Sequence, residues 1–133
     1  MDTPGWVLEV RVQPADVQDR DGAKPVLEPL AFRHWRLRKI WADGGYRGEL
    51  ETWVWNLRHG RGKRRVHLEI VEKASAHSFV VLPKRWIVER TFAWLGRSRR
   101  LSKDYEALCE TSETLIFIAM THLMTKRLAK PYP

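Results

Sequence analysis

Cysteine is nearly missing from this sequence of 133 residues: Cys109 stands alone. A single thiol excludes an internal disulfide and fits a reducing compartment, and such a residue is expected to be buried as a small apolar side chain. Long hydrophobic runs are also lacking. The longest, Leu115 to Met120, falls far short of the roughly 20 residues a membrane span needs. Met1 is followed at once by an aspartate, so no secretory leader is read. No helix-turn-helix pattern is found near the N-terminus. These absences point to a soluble, intracellular chain with no membrane partner. Negative charge is scarce as well, with 16 acidic residues against 24 Lys and Arg and a formal net charge of +8. That balance favours polyanionic partners. The length allows one domain with a core and leaves no room for a second independent module.

The positive charge is clustered. One cluster runs from Arg58 to Arg65, where Gly60 and Gly62 predict a mobile loop of about residues 58–65. The other comprises Arg97, Arg99, Arg100 and Lys103. Each is either a solvated face or a surface laid along a phosphate backbone, and contacts of the latter kind position DNA without reading its sequence.

Periodicity predicts alternating strands and helices. Trp6, Leu8, Val10 and Val12 share one face of a first strand, which Pro14 ends. A short helix is expected over 17–32, with Asp16 or Asp19 near its start and Pro25 and Pro29 limiting its length. On that reading Asp16, Asp19 and Asp21 are caps and loop acids rather than metal ligands. Leu37 to Ala42 forms the next strand, and Gly48 to Leu57 a helix that presents Leu50, Trp53 and Leu57 to the sheet. Arg65 to Ile70 alternates again, with Val66, Leu68 and Ile70 inward and His67 on the polar face. A helix from Pro83 to Leu95 begins at a proline suited to that place. A last helix runs from Thr111 to Leu128, with Thr111 or Ser112 as cap and Lys126 and Arg127 in its final turn. Its stripe of Leu115, Ile118, Met120, Leu123 and Met124 reads as core packing. Strands alternating with helices make an α/β domain.

Two acids stand out from this frame. At about 100° per residue from Trp86, the apolar residues Ile87, Val88, Phe92, Trp94 and Leu95 span about 80° to 240°, while Glu89 lies near 300°. At the edge of an apolar stripe its carboxylate would be partly desolvated and would need a cation, hydrogen bonds or a raised pKa. Either it pairs with Arg85 one turn earlier, or it belongs to a site. Asp43 closes the strand before Gly44 and Gly45, which is ordinary turn chemistry. It is also where α/β proteins collect reactive side chains.

Together the two segments resemble a known family. Residues 42–46 read A-D-G-G-Y, and residues 86–101 read W-I-V-E-R-T-F-A-W-L-G-R-S-R-R-L. Both are similar to motifs of bacterial DDE-type insertion-sequence transposases, in the branch with A-D-[GK]-[GA]-Y and W-[IV]-V-E-R-T-F-x-W-L. The opening from Asp2 to Gly5, the apolar stretch after it and residues 14–23 resemble the segment downstream of that family's first catalytic aspartate. The resemblance runs from the second residue to about Leu128.

The resemblance implies a ribonuclease-H-like mixed sheet flanked by helices, forming one partial catalytic domain over residues 1–133. It implies that Asp2, Asp43 and Glu89 are the catalytic and metal-binding acids, holding two Mg²⁺ about 4 Å apart for in-line phosphoryl transfer, with Mn²⁺ able to substitute. The expected activity is DNA cleavage at element ends followed by strand transfer to a target. Expected partners are the transposon ends, the target DNA and a second copy of the chain, in a bacterial cytoplasm at the nucleoid. Arg85 matches the arginine of the family's Y-x2-R-x3-E-x6-K signature and would orient Glu89 or touch a phosphate. Leu82 and Gly96 depart from that signature, with Arg97 one residue later. Trp94, Arg97, Arg99, Arg100 and Lys103 are the further DNA-contact candidates. Because only Met1 precedes Asp2, most of the first strand is expected to be missing, and an upstream reading-frame product is an expected fusion partner. The other open reading is an inactive or regulatory fragment that binds DNA or full-length transposase without catalysis.

Overall fold

Residues 1–57, 65–71 and 84–129 are described in this computed structural model, and they fall into two units, Gln13–Pro83 on one hand and Met1–Val12 with Lys84–Pro133 on the other. In the first, α1 (Asp19–Arg33) opens with Asp19 and Asp21 and ends with Arg33, charges that complement the helix dipole. Pro25 and Pro29 lie inside α1 rather than limiting it. Each removes an amide donor, at a cost of about 3 kcal/mol in a helix interior. The rings, four residues apart, share one side, while Leu27, Leu30 and Ala31 on the other side are buried. Tertiary burial thus outweighs propensity.

A two-stranded parallel sheet comes next. β1 (Lys39–Ala42) pairs with β2 (His67–Ile70), Lys39 opposite His67 and Ala42 opposite Ile70. The side chains of Lys39 and Trp41 both reach Glu69 across the pair, the indole Nε1 at 3.1 Å. Parallel strands need a crossover, and α2 (Glu49–Asn56) lies within it. Gly48 before α2 adopts φ 110°, a conformation that suits glycine, and its amide donates to Glu51 Oε1 at 3.4 Å. Leu50 and Val54, one turn apart, are the buried face of α2. Trp53 and Leu57, expected inward, are half-buried, because Leu57 has already left helical geometry at ψ 124°. In β2 the alternation holds for Val66 and Leu68, which are buried, and for exposed His67, whereas Ile70 is half-buried.

The second unit contains α3 (Arg85–Gly96), a 3-10 turn at Arg99–Leu101, and α4 (Cys109–Leu128). The strand expected over Trp6 to Val12 does not form, and β1 and β2 are the strands among the described residues. Alternation supplies a face and no pairing partner. The segment satisfies its polar groups otherwise: Glu113 accepts from the Val12 amide and from the Arg11 guanidinium, both at 3.0 Å.

The buried residues of α3 are Ile87 and Thr91, with Trp94 and Leu95 half-buried. Val88 and Phe92, expected inward, are exposed, so the inward face is rotated towards Thr91. Pro83 lies outside the described residues, and Lys84 precedes the helix at φ 70°. The helix α4 starts at Cys109 after Leu108, two residues before the expected Thr111, and neither Thr111 nor Ser112 caps it. Met120 is buried as expected, Leu115, Leu123 and Met124 are half-buried, and Ile118 is exposed. Cys109 is half-buried rather than buried.

Candidate active site

Asp2 is held in a tight turn. Its Oδ1 accepts from the Trp6 amide at 2.7 Å, its own amide donates to the Trp6 carbonyl at 2.9 Å, and Gly5 N donates to its carbonyl at 3.0 Å. Gly5 sits buried at φ 90°, which favours glycine. The turn is fastened to α3: Thr91 Oγ1 donates to the Gly5 carbonyl at 2.8 Å, and the Arg90 guanidinium donates to the Pro4 carbonyl. Burial pushes the Met1 α-amino group below its usual pKa against the opposing pull of Asp2.

Aromatic and guanidinium planes extend this fastening. Trp6 packs on Trp94 with ring centroids 5.6 Å apart. The Arg90 guanidinium lies 4.4 Å over Trp86 and 4.7 Å over Trp94. Arg127, from the last turn of α4, lies 4.7 Å over Trp6 and 4.5 Å over Trp94. Both guanidinium groups and Trp6 therefore engage the Trp94 ring within its own unit. Arg90 Nε is buried without a hydrogen-bond partner, the one such side-chain atom among the described residues.

Glu89 sits on the same helix but on another face. It lies two residues from both Ile87 and Thr91, roughly 200° away on the helix. Its side chain is 65% exposed and accepts from Arg85 Nε at 3.2 Å. The partial desolvation expected at the edge of an apolar stripe is thus not found, because the buried face is centred elsewhere.

Asp43 ends β1 as expected and caps the 3-10 turn Gly44–Tyr46, with Oδ1 accepting from Gly45 N at 3.1 Å. Asp19, read from the sequence as a cap, comes close to it. A Cβ placed on Gly45 would lie 3.3 Å from Asp43 Oδ1 and 3.7 Å from Asp19 Oδ2. Burial, then the charges of Asp19 and Asp43, push the Tyr46 phenol above its usual pKa. Nothing in the spacing of residues 19 and 43 signals this approach; it arises from α1 packing beside the turn.

Of the basic candidates, Arg97, Arg99 and Lys103 are exposed. Arg85 is engaged by Glu89, and Arg100 by Glu106, whose side chain is only 14% exposed. In the other cluster, residues 58–64 lie outside the described residues, while Arg65 rests 4.9 Å over the exposed Trp55 ring.

Asp2 and Glu89 belong to one unit and Asp43 to the other. Within neither unit do three or more His, Cys, Asp or Glu side chains gather as a metal cluster, among the described residues. The three acids nonetheless share one property. Each gives one oxygen to a protein donor, and among the described residues its second oxygen has no hydrogen-bond or ion-pair partner. An oriented carboxylate with an open oxygen is the donor type that hard divalent cations take.

Compared with known families, the chain matches the one described as transposase DDE domain over residues 1–124. Comparisons with curated proteins and with solved structures give no match.

Proposed function

The chain belongs to the transposase DDE domain family, and from that premise we propose that it is the catalytic part of an insertion-sequence transposase that cuts DNA at element ends and joins them to a target. The observation that carries this reading is the family match over residues 1–124, joined to the open oxygen that Asp2, Asp43 and Glu89 each keep. On this proposal the parallel β1–β2 pair and its helical crossover are part of a ribonuclease-H-like sheet.

Asp2, Asp43 and Glu89 would hold the divalent metal, Mg²⁺ or Mn²⁺, which when bound activates the attacking hydroxyl and stabilises the leaving oxygen. Arg85 keeps one Glu89 oxygen oriented and leaves the other to the site. Arg97, Arg99, Arg100 and Lys103 lie against phosphates, Arg100 after exchanging Glu106 for the DNA backbone. Trp94 acts through the packing it shares with Trp6, Arg90 and Arg127. Two DNA ends must be handled together, so the working form is a dimer on DNA.

A second reading, a non-catalytic fragment that binds DNA or full-length transposase, is favoured by the exposed Arg85–Glu89 pair, which needs no metal to balance it. Glu89→Gln separates the two. Loss of strand cleavage on element-end DNA with affinity unchanged or slightly raised is expected for the catalytic site. A parent chain that binds DNA without cleaving it, with binding unchanged in Glu89→Gln, selects the second reading.

A further inference from the structure

We infer that Thr91, seconded by Arg90, is a positioning residue that sets Asp2 relative to the helix carrying Glu89; this rests on the proposed metal-binding role of the acids. Thr91 is 1% exposed on a helix whose neighbouring Trp86, Val88 and Phe92 are exposed, so a buried polar side chain holds the place an aliphatic one would ordinarily fill. Its hydroxyl is spent on one acceptor, the Gly5 carbonyl, 86 positions away in sequence. The fit there is close. A Cβ on Gly5 would stand 2.9 Å from Thr91 Oγ1, 3.1 Å from an Arg90 terminal nitrogen and 3.3 Å from the Trp94 ring. Arg90 takes the preceding carbonyl, Pro4, so adjacent residues of α3 grip adjacent carbonyls of the turn.

From Gly5 the geometry passes to Asp2 with little freedom. The Gly5 amide donates to the Asp2 carbonyl, and the next residue, Trp6, accepts from the Asp2 amide at its carbonyl and donates its own amide to the Asp2 carboxylate. The path from Thr91 to the Asp2 carboxylate thus consists of hydrogen bonds within one turn. Glu89, Arg90 and Thr91 are consecutive, so one acid of the site and the clamp for another share a single helical turn. Loss of the Thr91 hydroxyl leaves a buried carbonyl unpaired and lets the turn lift. Outer partners that orient metal ligands are typically worth 10–100-fold in metal affinity or activity.

The test is Mn²⁺ binding by calorimetry to the full chain, with near-ultraviolet circular dichroism of the Trp6–Trp94 contact recorded at the same temperature, well below melting. Thr91→Val is expected to weaken Mn²⁺ roughly 10–100-fold and to change the indole signal, while helix content holds. Thr91→Ser, which keeps the hydroxyl, is expected to restore most of the affinity. Wild-type affinity in Thr91→Val, or equal losses in Thr91→Val and Thr91→Ser, overturns the inference. Should Thr91→Val not fold, Arg90→Met, which keeps the stem and removes the donor to Pro4, decides with the same two readouts. Asp43→Asn and Glu89→Gln run in parallel. If they lose Mn²⁺ and the clamp variants do not, the positioning role falls and the site stands. If the parent chain binds no Mn²⁺, the proposed metal site falls and the inference with it.

Discussion

The two units are held by different forces. Among the described residues of the Gln13–Pro83 unit the buried side chains are aliphatic: Leu27, Leu30, Ala31, Leu50, Val54, Val66 and Leu68. In the unit of residues 1–12 and 84–133, Ile87 and Met120 are buried beside polar Thr91 and Ser112, and the links between its segments are directional. Thr91 and Arg90 grip the Asp2 turn, Glu113 takes Val12 and Arg11, and Arg90 and Arg127 flank Trp94. A fully buried Leu or Val is worth about 1.5–3 kcal/mol, a hydrogen bond about 0.5–1.5 kcal/mol net, and a cation–π contact about 0.5–2 kcal/mol. The first unit gains stability from area, which is indifferent to small displacements. The second gains it from geometry, which is not.

The largest effect expected from this contrast is in the aliphatic unit. Leu50→Ala removes a side chain that is 2% exposed and should cost about 2–5 kcal/mol, read as a lower urea midpoint. Gly5→Ala ranks second. It forces a Cβ at φ 90° to within 2.9 Å of Thr91 Oγ1, at about 1–3 kcal/mol. Its mark in tryptophan circular dichroism should exceed any left by Leu50→Ala, and a silent Gly5→Ala would mean that the turn is not fastened as described. Smaller again, Arg127→Gln should cost about 0.5–2 kcal/mol, because the planar amide keeps some stacking but loses the charge over Trp6 and Trp94.

The smallest effect depends on pH and belongs to a charged cross-strand contact in the aliphatic unit. The Lys39 hydrogen bond chiefly, opposed by desolvation and helped further by Trp41, holds the Glu69 carboxyl below the usual glutamate range. The folded state therefore binds that proton less readily than the unfolded chain. The contribution is complete above the ordinary glutamate range and fades as pH falls through the lowered value. Melting curves of the parent and Glu69→Gln should differ slightly at neutral pH and converge in acid. A gap that persists in acid would assign Glu69 another role.

Legibility divided along the same line. For the aliphatic unit, capping residues placed α1 and the spacing of apolar residues placed β1, α2 and β2 close to their observed ends, down to exposed His67 between buried Val66 and Leu68. It erred at Pro25 and Pro29, where local penalty was weighed without the burial that offsets it. For the other unit the helices α3 and α4 were read, but not which face of α3 turns inward, nor the turn from Asp2 to Trp6, nor that Trp6 to Val12 forms no strand. At the candidate site, the positions of Asp43 after β1 and Glu89 on α3 were legible. The closeness of Asp19 to Asp43 and the Thr91–Gly5 bond were not.

Sequence by itself determined the family, the excess of basic residues, the order of the elements from α1 to α4, and which three acids are candidates for the site, because motifs, charge and periodicity are carried by neighbours along the chain. Tertiary structure decided that Glu89 is exposed, that Trp94 is flanked by two arginines, and that Asp2 is anchored through Thr91. Those outcomes depend on groups tens of residues apart meeting at hydrogen-bonding distance, and no local pattern encodes such a meeting.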